Sequence, residues 1–167
     1  MNRGVSLSLW FLPMFLFTAS VNHAAEGKGL RSEEPMTNAR LERILRTLEP
    51  NVKGGNGRWE MVRDGVPLMV LSDESHNRMR AIAPAAELKD VGQQILMTMM
   101  EANFAGALDA RYAVSQGVVW AAFIHPLNSL RERDFISGLQ QIITLVKTTG
   151  TTYSSSDLRF GPSYEER

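Results

Sequence analysis

Apolar residues recur along this chain with two spacings, and each switch between them marks an element. Leu41, Ile44, Leu45 and Leu48 fall at i, i+3, i+4 and i+7, with Arg40, Glu42, Arg43 and Arg46 between them. That spacing predicts an amphipathic helix. Thr37 or Asn38 caps it, Glu42 and Arg46 are spaced as a favourable pair, and Pro50 stops it. Gly54-Gly55-Asn56-Gly57 matches the GxxG loop of a KH module, but it runs into a strand pattern, Arg58 to Val62, and so predicts a turn. From there the period is two. Asp64-Gly65 is a two-residue hairpin signal that sets Met61 opposite Leu68 and Trp59 opposite Val70 on one apolar face. Pro67 has no N–H to give, which puts its end of the ribbon at an edge or outside the regular ladder. The polar run Asp73 to Asn77 turns into a third strand, Arg78 to Ala83.

Helical spacing returns over Glu87 to Phe104. Leu88, Val91, Ile95 and Met99 form one stripe, and Leu96, Met100 and Phe104 form a second beside it. The apolar arc is wider than one sheet contact needs. Met97, Met99 and Met100 give it an adaptable surface. Asn103 to Leu127 then reads as one long β-hairpin around a three-residue loop, Ser115-Gln116-Gly117. With Val114 opposite Val118, Tyr112 meets Trp120, Ala110 meets Ala122 and Leu108 meets Ile124 on a wholly apolar face. Asp109, Arg111 and Ala113 lie across from Phe123, Ala121 and Val119 on a mixed one. Pro126 ends the hairpin, Ser129 and Glu132 are spaced as a capping box, and Phe135, Leu139, Ile142, Ile143 and Val146 carry a last helix to Gly150. The fold class is α+β: helix, three antiparallel strands, helix, long two-stranded hairpin, helix, in a single domain over 36–150. The stretch 151–167 is a Ser/Thr/Gly-rich tail, loosely held, with Leu158 and Phe160 docking back.

Residues 1–25 follow a different pattern. Arg3 precedes an apolar run broken by Pro13, and small residues follow at Ala24-Ala25. This is the layout of a secretory signal peptide, with cleavage near residue 24 or 25. The apolar run is shorter and more interrupted than a spanning helix, so the membrane is touched only through the uncleaved signal. Residues 26–35 are a flexible leader. The expected location is periplasmic or secreted.

Composition narrows the function. Basic and acidic residues number 18 each, so no global charge points to nucleic acid. The chain has no cysteine, which excludes disulfides, zinc-thiolate sites and iron–sulfur ligation. Its three histidines, His23, His76 and His125, are not at ligand spacing, and neither a metal nor a cofactor is expected. Ser75 beside His76 raises a nucleophile–base reading, but adjacent turn residues rarely point at one another, and the chain holds no G-x-S-x-G elbow. The alternative of a hydrolase-type enzyme rests on scattered residues: Asp73, His76, Asp109 and His125. Another is a small-ligand sensor using the cleft between sheet and helices. Asp109 and Arg111 share a strand face, either as a surface ion pair or as the rim of a groove floored by Val119 and Phe123.

Over Leu96 to Gly150, the series Asn103-Phe104, Gly106-Ala107-Leu108, Gly117-x-x-Trp120 and the helix Asp134 to Gly150 resembles the type III secretion chaperone-like fold. That group includes the Tir-chaperone family and related sensory-transduction regulators of bacteria. Residues 37–95 match it in element order. The resemblance implies a small, catalytically inert homodimer that holds a partner polypeptide along its sheets and first helix. Secretion chaperones work in the cytoplasm, so an exported version implies the same fold with a different client. The expectation is a non-enzymatic, protein-binding or chaperone-like domain of the bacterial cell envelope. Its partners are a second copy of itself and an unidentified polypeptide. The surface expected to carry them comprises Leu96, Met97, Met100, Phe104, Asp109, Arg111, Val119 and Phe123.

Overall fold

The computed structural model describes residues 34–158. The signal segment, most of the leader, and the tail from 159 onward, Phe160 included, lie outside the described residues. Helix α1 (Asn38–Leu48) forms where the apolar spacing places it, with the Thr37 hydroxyl accepting from the Arg40 N–H at 3.2 Å and Glu42 bonded to Arg46. It buries Leu41, Ile44 and Leu45, each worth roughly 1.5–3 kcal/mol. Strands β1 (Lys53–Gly55), β2 (Arg58–Arg63), β3 (Val66–Asp73) and β4 (Arg78–Glu87) follow as an antiparallel meander. A 3-10 turn at Leu88–Asp90 leads into α2 (Gln93–Ala105), then β5 (Arg111–Ser115), β6 (Val118–Pro126) and α3 (Glu132–Thr148). The sheet order is β1-β2-β3-β4-β6-β5. Among the described residues no helix is long and apolar enough to cross a membrane.

The first hairpin has the expected register: Trp59 pairs with Val70 and Met61 with Leu68. Asp64 and Gly65 both take positive φ, 52° and 79°, the two-residue turn that fits strand twist. Pairing of β3 with β4 starts at Met69, so Pro67 lies beyond that ladder. Helices α1 and α3 cover one face of this sheet, tied to each other by Arg40 and Glu132 at 3.9 Å. Under α3 the strands present Ala81, Ala83 and Ala121, which are fully buried. Small residues let the helix come close. Gly138 marks the tightest approach, because a Cβ there would stand 2.8 Å from the Phe123 ring.

The second hairpin departs from expectation. Gln116 takes φ 52° and Gly117 φ 76°, so the loop has two residues, with Ser115 paired to Val118. Tyr112 therefore meets Ala121, and Trp120 meets Ala113. A one-residue slip exchanges the faces of a strand. Val119 and Phe123 join Tyr112 in the core, while Trp120 moves to the face away from α1 and α3. The hairpin is also shorter than expected, because Asn103–Ala105 continue α2 and Gly106 closes it. The Asn103 amide then bonds both the N–H and the carbonyl of Tyr112, at 2.7 and 3.0 Å, standing in for a neighbouring strand. Gln141 of α3 does the same for the segment before β5, accepting from the N–H groups of Asp109 and Ala110.

Two smaller corrections concern α3. Among the described residues no side chain caps its start, since the helix begins at Glu132 after a turn anchored by buried Leu130. Its far end holds the first part of the tail: Ser154 and Ser155 are buried, bonded to the Gly106 carbonyl and the Leu108 N–H. Thr151–Ser156 thus belong to the fold, whereas Leu158 is exposed.

Candidate functional site

Alternation along the strands gives the sheet a second face, on the side away from α1 and α3. Reading the registers across, it carries Val62, Pro67, Met69, Ile82, Pro84 and Trp120 at one end. These residues line a groove of about 590 Å³, whose β1 side is closed by Glu49, Lys53 and Glu60. Val62 is 61% exposed. Trp120 lies half-buried across the groove, its indole N–H donating to the Ser115 carbonyl at 3.2 Å. Further along the same face Ile124 is 59% exposed. Sequence reasoning missed this face because the hairpin slip hid Trp120. The available signal was Val66-Pro67-Leu68-Met69-Val70-Leu71, which is apolar at both parities and so predicts a strand with two apolar faces.

Helix α2 offers a second open surface, lying against the β5 edge. Met99 is buried, and Leu88, Val91 and Leu96 pack partly against the core. Ile95, Met97, Met100 and Phe104 are exposed, Phe104 to 78%. Of the residues expected to carry partners, Met97, Met100 and Phe104 stand on this surface, with Leu96 half-buried at its border. Ile95, expected on the sheet-facing stripe, joins them. Val119 and Phe123 do not belong to any open surface. Asp109 and Arg111 are both exposed and are not an ion pair; the Asp109 carboxylate accepts from Gln141 Nε2 at 3.3 Å.

The scattered polar residues behave differently from one another. The β3–β4 turn does bring Ser75 and His76 into contact, Oγ to Nδ1 at 3.1 Å. Yet the Ser75 hydroxyl donates to Asp73 Oδ1 at 2.6 Å, and Asp73 Oδ2 meets the same His76 Nδ1 at 2.7 Å. A nucleophile needs its proton directed at the base, whereas here it is spent on the acid. The hydroxyl of Ser75, then the N–H and ring of His76, hold the Asp73 carboxyl far below the usual carboxylate range. This is the bonding pattern of a polar turn that fixes its own backbone. His125 stacks on Phe123 and bonds the Pro126 carbonyl, and Asp109 is held by Gln141. None of Asp73, His76, Asp109 and His125 lines the groove.

No family model and no curated protein matches the chain. Solved structures do. The ExsC–ExsE complex superposes with a TM-score of 0.53 at 14% identity, over 67% of this chain and 92% of that one. The HopA1–SchA chaperone–effector complex gives 0.50 at 17% identity, over 65% and 88%. The Yersinia pestis type III secretion chaperone SycH, in complex with a stable fragment of YscM2, gives 0.53 at 15% identity, over 67% and 98%. The α+β fold of this chain is the type III secretion chaperone-like fold.

Proposed function

We propose that this chain is a non-enzymatic, polypeptide-binding domain with a chaperone-like role in the bacterial cell envelope, working as a homodimer. The observation that carries the reading is the uncovered apolar face of the sheet, with its groove between Val62 and Trp120. Two of the similar structures hold chaperones bound to polypeptides, an effector and a fragment of YscM2, which supports a client of the same chemical kind here. Self-association is supported by α2, whose exposed Ile95, Met97, Met100 and Phe104 form an apolar surface of the sort a two-fold contact hides. The envelope location rests on the N-terminal pattern of residues 1–25, and mass spectrometry should find the mature chain starting between about Val21 and Glu26.

Photo-crosslinking separates the two surfaces. A crosslinker at Val62 should capture other polypeptides, and one at Phe104 should capture a second copy of the chain. Capture of neither, together with a monomer mass by light scattering at micromolar concentration, would remove the proposal. A second reading, a small apolar ligand, is favoured by the groove volume, which lies within the range of small-molecule sites. Native mass spectrometry of the isolated protein tests it, since a retained ligand adds a discrete mass.

A further inference from the structure

The open sheet face is not uniformly apolar. Arg80 on β4 is flanked across the ladder by Leu71 and Ile124, and Arg111 on β5 by Ala122, with Ile124 on its diagonal. Both arginines are exposed. Among the described residues neither has a carboxylate within ion-pair distance, which they share with Arg43, Arg63, Arg78 and Arg131, whereas Arg40, Arg46, Arg58 and Arg133 are paired. Arg78, one row further, lies opposite Asp73. Among the described residues, the face therefore has an apolar end at the groove and a cationic end where Arg78, Arg80 and Arg111 outnumber Asp73.

We propose that this face takes a polypeptide segment that is apolar at one point and acidic at another, with its carboxylates over Arg80 and Arg111. The inference rests on the polypeptide-binding reading and names the client's chemistry. The rows set its spacing. Arg111 is one row of the face from Trp120 and Arg80 is two, or two and four residues along β6, which at the rise of a strand is about 7 and 13 Å. An extended client would thus carry acidic residues two to four positions from its apolar anchor. Arginine suits this role because its planar fork meets a carboxylate with two parallel bonds, even on a surface.

The test uses the full protein and fluorescein-labelled peptides with a Leu-Phe-Ile block followed, a few residues on, by a block of Glu, Gln or Lys. Anisotropy should show the Glu peptide binding about three- to tenfold tighter than the Gln peptide, as two exposed ion pairs would give, and the Lys peptide weakest. The gap should shrink in high salt. Arg80→Gln with Arg111→Gln should erase the charge preference and leave the Gln peptide's affinity unchanged. Val62→Glu should weaken all three. Equal binding of the three peptides, or a preference that survives the double substitution, overturns the acidic specificity while leaving the polypeptide-binding reading standing. Binding of none overturns both. Tighter binding of phosphatidylglycerol vesicles or oligo-dT than of the Glu peptide assigns the arginines to phosphate and overturns the inference as well.

Discussion

The two faces of the sheet are made by alternate residues of the same strands, yet they are built on opposite principles. The face under α1 and α3 combines large side chains, Trp59, Met61 and Phe123, with alanines where α3 must approach, and all of these are buried. The other face places Val62, Met69, Trp120 and Ile124 where nothing among the described residues covers them, and sets Arg80 and Arg111 among them. A face meant only for solvent would alternate to polar residues. Apolar bulk at both parities costs solubility, so its presence argues for a partner rather than for stability.

The largest test of this contrast replaces the two tryptophans in turn. Trp59 is 1% exposed, and among the described residues its indole N–H has no partner, so its contribution is burial and packing. Trp59→Ala should cost about 3–5 kcal/mol. Against a usual total of about 5–15 kcal/mol, that leaves a marginal or unfolded domain. Trp120→Ala should cost much less and act on binding instead. Denaturant melts of equal midpoint for the two variants would erase the distinction between the faces.

Gly138 offers a finer probe of the closed face. Alanine is the better helix former by about 1 kcal/mol. At this position, however, its methyl would stand 2.8 Å from the Phe123 ring, which is held in the core and is not free to retreat. Overpacking of that kind typically costs about 1–3 kcal/mol. Gly138→Ala should therefore lower the melting midpoint despite the gain in propensity. A rise would mean that α3 stands off the sheet.

How much of this was legible in the sequence depends on the turns. Asp64-Gly65 names its own turn, and the β2–β3 register follows from it. At Ser115-Gln116-Gly117 a glutamine adopts the left-handed conformation, which its residue type does not advertise. The three residues suggest a loop one residue longer than the one present, which places Trp120, Val119 and Phe123 on the wrong faces. On α2 the exposure of residues is less sensitive, because helical spacing does not depend on a turn. Met97, Met100 and Phe104 were readable; the exposure of Ile95 was not, since it reflects α2 lying at the β5 edge rather than over the sheet. The roles of Asn103 and Gln141 as strand substitutes, and the docking of Ser154 and Ser155, rest on polar contacts across 9 to 48 residues. No local pattern encodes them.

Met100 tests the open side of the comparison. It is 61% exposed, so a charge there meets water in the single chain, and Met100→Glu should change the stability of the monomer by less than about 0.5 kcal/mol. In a dimer formed through α2, the same charge would be buried without a partner. Light scattering should then show the mass halved with the circular dichroism spectrum kept. A variant that unfolds would place Met100 in the core, against its position here.

The smallest effect concerns the β3–β4 turn, where the open face ends at Asp73 and Arg78. Asp73 is exposed, and its lowered pKa comes first from the Ser75 hydroxyl, then from the His76 N–H and ring. Bonds that favour the carboxylate stabilise the folded turn only while that carboxylate is ionised. The contribution is therefore present above the ordinary aspartate value of 3.8, and it is lost as the pH falls below that value through the depressed one. Carboxyl-carbon NMR during an acid titration should find Asp73 still ionised where other aspartates have taken up protons. Ser75→Ala should move it back toward 3.8 by the largest single step. An ordinary midpoint for Asp73 in the unsubstituted protein would mean that Ser75 does not donate to it. The hydroxyl would then be free for His76, and the turn would regain a claim to chemistry that the present bonding denies it.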